Sequence, residues 1–120
     1  MLHLVENELA SRIRVADKAI LQTSYLTDRQ LAAFESVEFV QANLANDASV
    51  DKAFAGDDPF DYVINCAAMT KFGQGEAVYR EHVLEVTKKC AIKAKEKGCK
   101  RFVEVSTAQV YDAGKVSKPK

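Results

Sequence analysis

A chain of 120 residues, 48% hydrophobic and 28% charged, has room for one domain and the composition of a folded globular protein, which excludes an intrinsically disordered one. Its 17 Lys and Arg balance 17 Asp and Glu, so there is no global basic field to hold nucleic acid or an anionic membrane. The longest apolar run, Tyr62 to Ala68, is far short of the ~20 residues that span a bilayer, and Met1 to Glu6 lack the basic start and long apolar stretch expected of a signal peptide.

In chain order, Leu2, Leu4, Val5 and Leu9 recur at near-helical spacing and predict a short amphipathic helix, or the tail end of one. Arg12 to Asp17 alternates polar and apolar residues and predicts a strand. Thr27 is placed to cap a helix over Asp28 to Glu35 that ends near Ser36. Val37 to Ala42 predicts a second strand, and Asp47 or Ser49 a cap for a short helix carrying Val50, Ala53 and Phe54. Gly56-Asp57-Asp58-Pro59 is turn chemistry. Phe60 to Ala68 is the most apolar strand and is expected to be buried on both faces. After a loop from Lys71 to Gly75, a long helix is expected from about Glu76 to Lys97, with Tyr79, Val83, Val86, Cys90 and Ala94 on one face and Gly98 as its stop. Arg101 to Ser106 predicts the last strand. Asp112-Ala113-Gly114 turns the chain into a basic, frayed tail from Lys115 to Lys120. Strands separated by helices imply an α/β fold with parallel pairing and right-handed crossovers.

Three cysteines, Cys66, Cys90 and Cys99, form neither a CxxC nor an even disulfide framework, which fits a reducing cytoplasm. Cys66 reads as a buried, inert thiol, since His3 and His82 both fall on helical stretches. Lys88, Lys89, Lys93, Lys95, Lys97, Lys100 and Arg101 are basic, but Glu76, Glu81, Glu85 and Glu96 share their helix and no aromatic residues interleave. A solvated helix face reads better there than a nucleic-acid stripe.

Candidate functional residues lie where strands end. Asp17 either accepts hydrogen bonds from ribose hydroxyls or opens a turn. Asn65-Cys66-Ala67-Ala68 leaves the apolar strand with small residues that let a ligand approach the backbone, or that pack closely. Ser106-Thr107 offers hydroxyls to a substrate, or makes a Ser/Thr turn.

Taken in order, the Asp17 strand end, Asn43-Leu44, Asn65-Cys66-Ala67-Ala68, Lys100-Arg101-Phe102-Val103 and Ser106-Thr107-Ala108-Gln109-Val110-Tyr111 resemble the extended short-chain dehydrogenase/reductases, the NAD-dependent epimerase/dehydratase family. The resemblance covers about Leu4 to Tyr111. It implies that Asp17 binds the adenosine ribose with Lys18 beside it, that Asn43 and Leu44 flank the adenine, and that Cys66, Ala67 and Ala68 line the middle of the cofactor. Asn43 stands where the family usually has Asp. Thr107 matches the hydroxyl residue that orients substrate.

The family's Gly-x-x-Gly-x-x-Gly turn has no counterpart, the first glycine being Gly56, and Tyr111 with Lys115 has only the literal spacing of its Tyr-x-x-x-Lys. The chain is therefore expected to be one incomplete NAD(P)-binding domain over residues 1–120. Its fold is expected to be a partial Rossmann-like parallel sheet of about four strands with flanking helices, lacking the first strand and the glycine-rich turn. Without the central first strand, the edges either pair directly, leave a gap, or take another segment. The parental reaction implied is hydride transfer between NAD and a sugar-nucleotide or other hydroxyl/keto substrate. These residues alone are expected to bind NAD weakly or not at all and to be inactive. The alternative is a non-catalytic nucleotide-binding or protein-interaction module. NAD and a small-molecule substrate are the expected partners of the full-length form. A homo-oligomer is left open, and neither nucleic acid nor a membrane segment is expected.

Overall fold

The computed structural model describes residues 1–21, 25–71 and 73–107. The expected Asp112–Gly114 turn, the basic tail, Tyr111 and Lys115 lie outside these residues. The chain divides into two compact units, Met1–Asp57 and Asp58–Lys120.

The first unit runs α1 (Leu2–Glu6), β1 (Arg14–Asp17), α2 (Asp28–Glu35), β2 (Glu38–Gln41) and α3 (Asp47–Ala53). Helix α1 half-buries Leu2, Leu4 and Val5 and packs on α2, where Glu6 pairs with Arg29, Oε2 to Nη2 being 2.6 Å. Helix α2 begins at a complete capping box. Thr27 is extended, its Oγ1 accepts from Gln30 N–H at 3.4 Å, and Gln30 Oε1 accepts from Thr27 N–H at 2.9 Å. Phe34 then meets Phe39 of β2 edge to face, with ring centroids 6.1 Å apart.

Asn46, rather than Asp47 or Ser49, caps α3, its Oδ1 accepting from Ser49 N–H at 3.2 Å. An amide one residue earlier reaches the orphan N–H, which leaves Asp47 in the first turn to meet the positive end of the helix dipole. Val50 and Ala53 are the buried side of α3. The carbonyl end of α3 is held from β1. Arg14 Nη1 donates to Ala53 O at 3.0 Å and Ala55 O at 2.6 Å, and its Nε lies 2.8 Å from Glu38 of β2.

The second unit runs β3 (Tyr62–Asn65), α4 (Glu76–Tyr79), a π-helical segment (Arg80–Glu85), α5 (Val86–Glu96) and β4 (Arg101–Glu104). The predicted long helix is present but not uniform. Its middle widens to π pitch through His82 and Val83, so the expected single face is broken there. Val86, Cys90 and Ala94, at steps of four on α5, are buried, and α5 packs on β3 and β4. Leu84 and Ile92 of the same helical stretch are exposed.

Gly98 ends the helix with φ +76°. Its N–H bonds Lys95 O at 3.1 Å and Cys99 N–H bonds Ala94 O at 2.9 Å, the Schellman pattern. The basic face is laced with acids: Lys88 to Glu85 at 2.9 Å, Lys93 to Glu96 at 3.0 Å, and Lys100 to Asp61 at 2.6 Å.

All four predicted strands form, and both pairings are parallel. β1 lies beside β2 with Arg14 opposite Glu38, and β3 beside β4 with Tyr62 opposite Arg101. They make two separate two-stranded sheets instead of one of four, and among the described residues β1 and β3 do not pair directly. A second difference concerns β3, which is not buried on both faces: Tyr62 is 68% exposed and Ile64 56%. Side chains alternate along a strand, and only the face of Val63 and Asn65 turns toward α5. Val103 and Val105 are exposed as well.

Candidate nucleotide-binding strand ends

The predicted site residues of the first unit gather at the carboxyl end of its sheet. Asp17 is the last residue of β1 and is exposed. Its Oδ1 accepts from Ala19 N–H at 2.8 Å, which bends the chain and holds the carboxylate at the strand end. The neighbouring strand is stapled to it, since Ala42 N–H donates to Asp17 O at 2.8 Å and Gln41 Nε2 to Lys18 O at 3.2 Å. Asn43 follows directly and turns the chain, its Oδ1 accepting from Ala45 N–H at 3.3 Å and its carbonyl from Asn46 N–H at 2.9 Å. Leu44 is half-buried beside it. Asp17, Lys18, Asn43 and Leu44 therefore share one sheet edge.

In the second unit, Cys66, Ala67 and Ala68 leave β3, and Ser106 and Thr107 leave β4 just beyond Glu104. The two exits are adjacent, because Asn65 pairs with Glu104 in the ladder and Val105 N–H donates to Asn65 O at 2.9 Å. Cys66 and Ala68 are exposed and Ala67 is half-buried. The expectation of a buried Cys66 is thus corrected: the strand has already ended, and its outward direction falls on solvent. The buried thiol is Cys90 on α5, whose pKa is pushed up by burial and then by the nearby Glu104 carboxylate. All three cysteines are free thiols.

One constellation had no forecast. Asn65 is the buried polar side chain of the core, 4% exposed. Its Nδ2 donates to Glu104 Oε2 at 2.7 Å, and its Oδ1 accepts from Ala67 N–H at 3.2 Å. Glu104 Oε1 accepts in turn from Thr87 Oγ1 of α5 at 3.0 Å. The available signal was a lone amide closing an apolar strand, which needs a partner if buried, and a lone carboxylate inside Phe102-Val103-Glu104-Val105. Among the described residues no group of His, Cys, Asp and Glu could hold a metal ion, and no helix is long and apolar enough to cross a membrane.

The strand ends differ in what they leave open to a ligand. Asp17 Oδ1 is engaged by one N–H, and an exposed carboxylate has further acceptor positions for ribose hydroxyls. Ala67 N–H, by contrast, is engaged by Asn65, so the Cys66–Ala68 stretch offers a small, close surface rather than that donor. Parallel strands joined through helices define an α/β protein, consistent with a Rossmann-like fold. The family model of the NAD dependent epimerase/dehydratase family matches residues 3–120, and the chain belongs to that family. No curated protein matches it.

Proposed function

We propose that this chain is the NAD-binding portion of an oxidoreductase whose reaction is hydride transfer at a hydroxyl or keto carbon of a small molecule, a sugar nucleotide being one such substrate. The observation that carries the reading is the shared sheet edge of Asp17, Lys18, Asn43 and Leu44. The pairings support a finer reading of the fold: β2-β1 and β3-β4 correspond to the two flanks of a doubly wound sheet of order 3-2-1-4-5, whose central strand is none of these four. Three free thiols favour a reducing, cytoplasmic setting.

Bound NAD supplies the nicotinamide ring that exchanges the hydride. Asp17 accepts the adenosine ribose hydroxyls and repels a 2′-phosphate, which favours NAD over NADP. Asn43 and Leu44 flank the adenine, one through its amide and one through apolar contact. Cys66, Ala67 and Ala68 let the cofactor approach the backbone, and Thr107 holds the substrate oxygen.

No glycine precedes Gly56, so no glycine-rich turn offers backbone N–H groups to the pyrophosphate. With only the literal spacing of Tyr111 and Lys115 to match the family's Tyr-x-x-x-Lys, the 120 residues bind NAD weakly or not at all and do not turn over. Absent general acid–base chemistry alone costs about 10²–10⁴ in rate. Calorimetry with NAD tests the reading. Heat at millimolar NAD, smaller with NADP, with no reduction of the nicotinamide by added alcohols, is expected. Silence at millimolar NAD refutes the cofactor role.

A further inference from the structure

The Asn65–Glu104–Thr87 chain sits at one place in the fold, the point where both strands of the second sheet leave it. Asn65 is the last residue of β3, and Cys66 to Ala68 follow. Glu104 is the last residue of β4, and Ser106 and Thr107 follow. The two are ladder partners, so their side chains lie on the same face, the one that α5 covers. Asn65 is buried whereas Glu104 is exposed, so the carboxylate meets the Asn65 amide at the rim of that face, near enough to the buried Cys90 thiol to raise its pKa.

What the carboxylate does is set by its two oxygens. One takes the Asn65 amide N–H and the other the Thr87 hydroxyl, so β3, β4 and α5 are tied through one group. Holding Asn65 Nδ2 also decides which way the amide faces. Its oxygen is left on Ala67 N–H, in the middle of Cys66–Ala68.

We propose that Glu104 is a positioning residue. Bridged to Thr87, it locks the Asn65 amide, fixes the backbone path of Cys66–Ala68, and holds that path in register with the strand end that bears Thr107. The consequence for the cofactor rests on the reading above, in which Cys66–Ala68 face NAD. The consequence for the backbone does not.

The test uses the whole chain, labelled for NMR, with Glu104→Gln, Thr87→Val and Thr87→Ser. In Glu104→Gln, Ala67 amide exchange should accelerate on the order of tenfold, the scale of a lost hydrogen bond to a charged group. The Asn65 side-chain amide resonances should lose the shift that a carboxylate partner imposes. Exchange at Cys90 and Ala94 should stay slow, showing that α5 is still packed. Thr87→Val should show part of the effect, and Thr87→Ser, which keeps the hydroxyl, none. Unchanged Ala67 exchange in Glu104→Gln overturns the proposal, as does an effect in Thr87→Ser equal to that in Thr87→Val.

NAD titration is the second arm. If the parent chain binds NAD, Glu104→Gln should weaken it several-fold, and equal affinity with a loosened Ala67 overturns the positioning role. If the parent chain does not bind NAD, the cofactor reading fails by itself and the Ala67 result alone decides the lock.

Discussion

Asp17 carries two duties with one carboxylate. It accepts Ala19 N–H to bend the chain, and it presents its charge at the sheet edge. The two separate in Asp17→Asn, since an amide oxygen keeps the turn and drops the charge. NAD should then bind about tenfold more weakly, the loss expected of a charged hydrogen bond. The preference over NADP should also narrow, because the repulsion of a 2′-phosphate goes with the charge. Calorimetry with both dinucleotides reads this, and an unchanged NAD/NADP ratio would remove Asp17 from the site.

The thiols give a second prediction at this scale. Burial and Glu104 raise the Cys90 pKa, while Cys66 is exposed. Iodoacetamide under mildly alkaline native conditions should modify Cys66 well before Cys90, read by peptide mass spectrometry. The folded chain keeps the Cys90 proton at a pH where the unfolded chain has released it. Its contribution to stability is therefore intact below the ordinary thiol range and is lost as pH rises from there through the raised pKa of the folded chain. The strand ends at Asp17 and before Cys66 were legible in the sequence as breaks in apolar alternation, whereas Asn43 was indicated by the family resemblance alone. Glu104 and Thr87 could not be named, because their significance lies in a contact between residues 17 apart.

At the level of elements, a cap and a stop were legible because they obey local chemistry. Thr27 caps α2 as expected, with Gln30 completing a capping box, and Gly98 takes the left-handed conformation that ends α5, whereas the α3 cap lies one residue before the expected Asp47. Thr27→Ala should cost about 1 kcal/mol, seen as a lower urea midpoint at unchanged slope. Gly98→Ala should cost about 1–2 kcal/mol, since a Cβ is strained at that φ although it meets no neighbour.

Two elements escaped for physical reasons. The π segment did so because counting apolar residues assumes a constant period, whereas Arg80–Glu85 adds to it. The exposure of β3 did so because an apolar run states what could be buried and not what covers it. Ile64→Thr should accordingly change stability by less than about 0.5 kcal/mol, whereas Val86→Ala on α5 should cost clearly more. A large loss in Ile64→Thr would restore the doubly buried strand.

For the whole molecule, the order and parallel sense of the strands were readable from alternation with helices, but which of the three arrangements open to the inner edges would form was not, and the described strands make two pairs. Pairing beyond sequence neighbours depends on which strands are present to fill the sheet, and no local pattern reports that. Membership of the NAD dependent epimerase/dehydratase family over residues 3–120 and the polar strand ends converge on one claim: the carboxyl edges of these sheets receive NAD. Titration of the labelled chain with NAD, followed by backbone NMR, tests it most directly. Shift changes concentrated at Asp17, Lys18, Asn43, Leu44 and Cys66 to Ala68, saturating in the millimolar range, are the predicted result. No changes at those positions, or changes confined to the lysine-bearing face of α5, would contradict it.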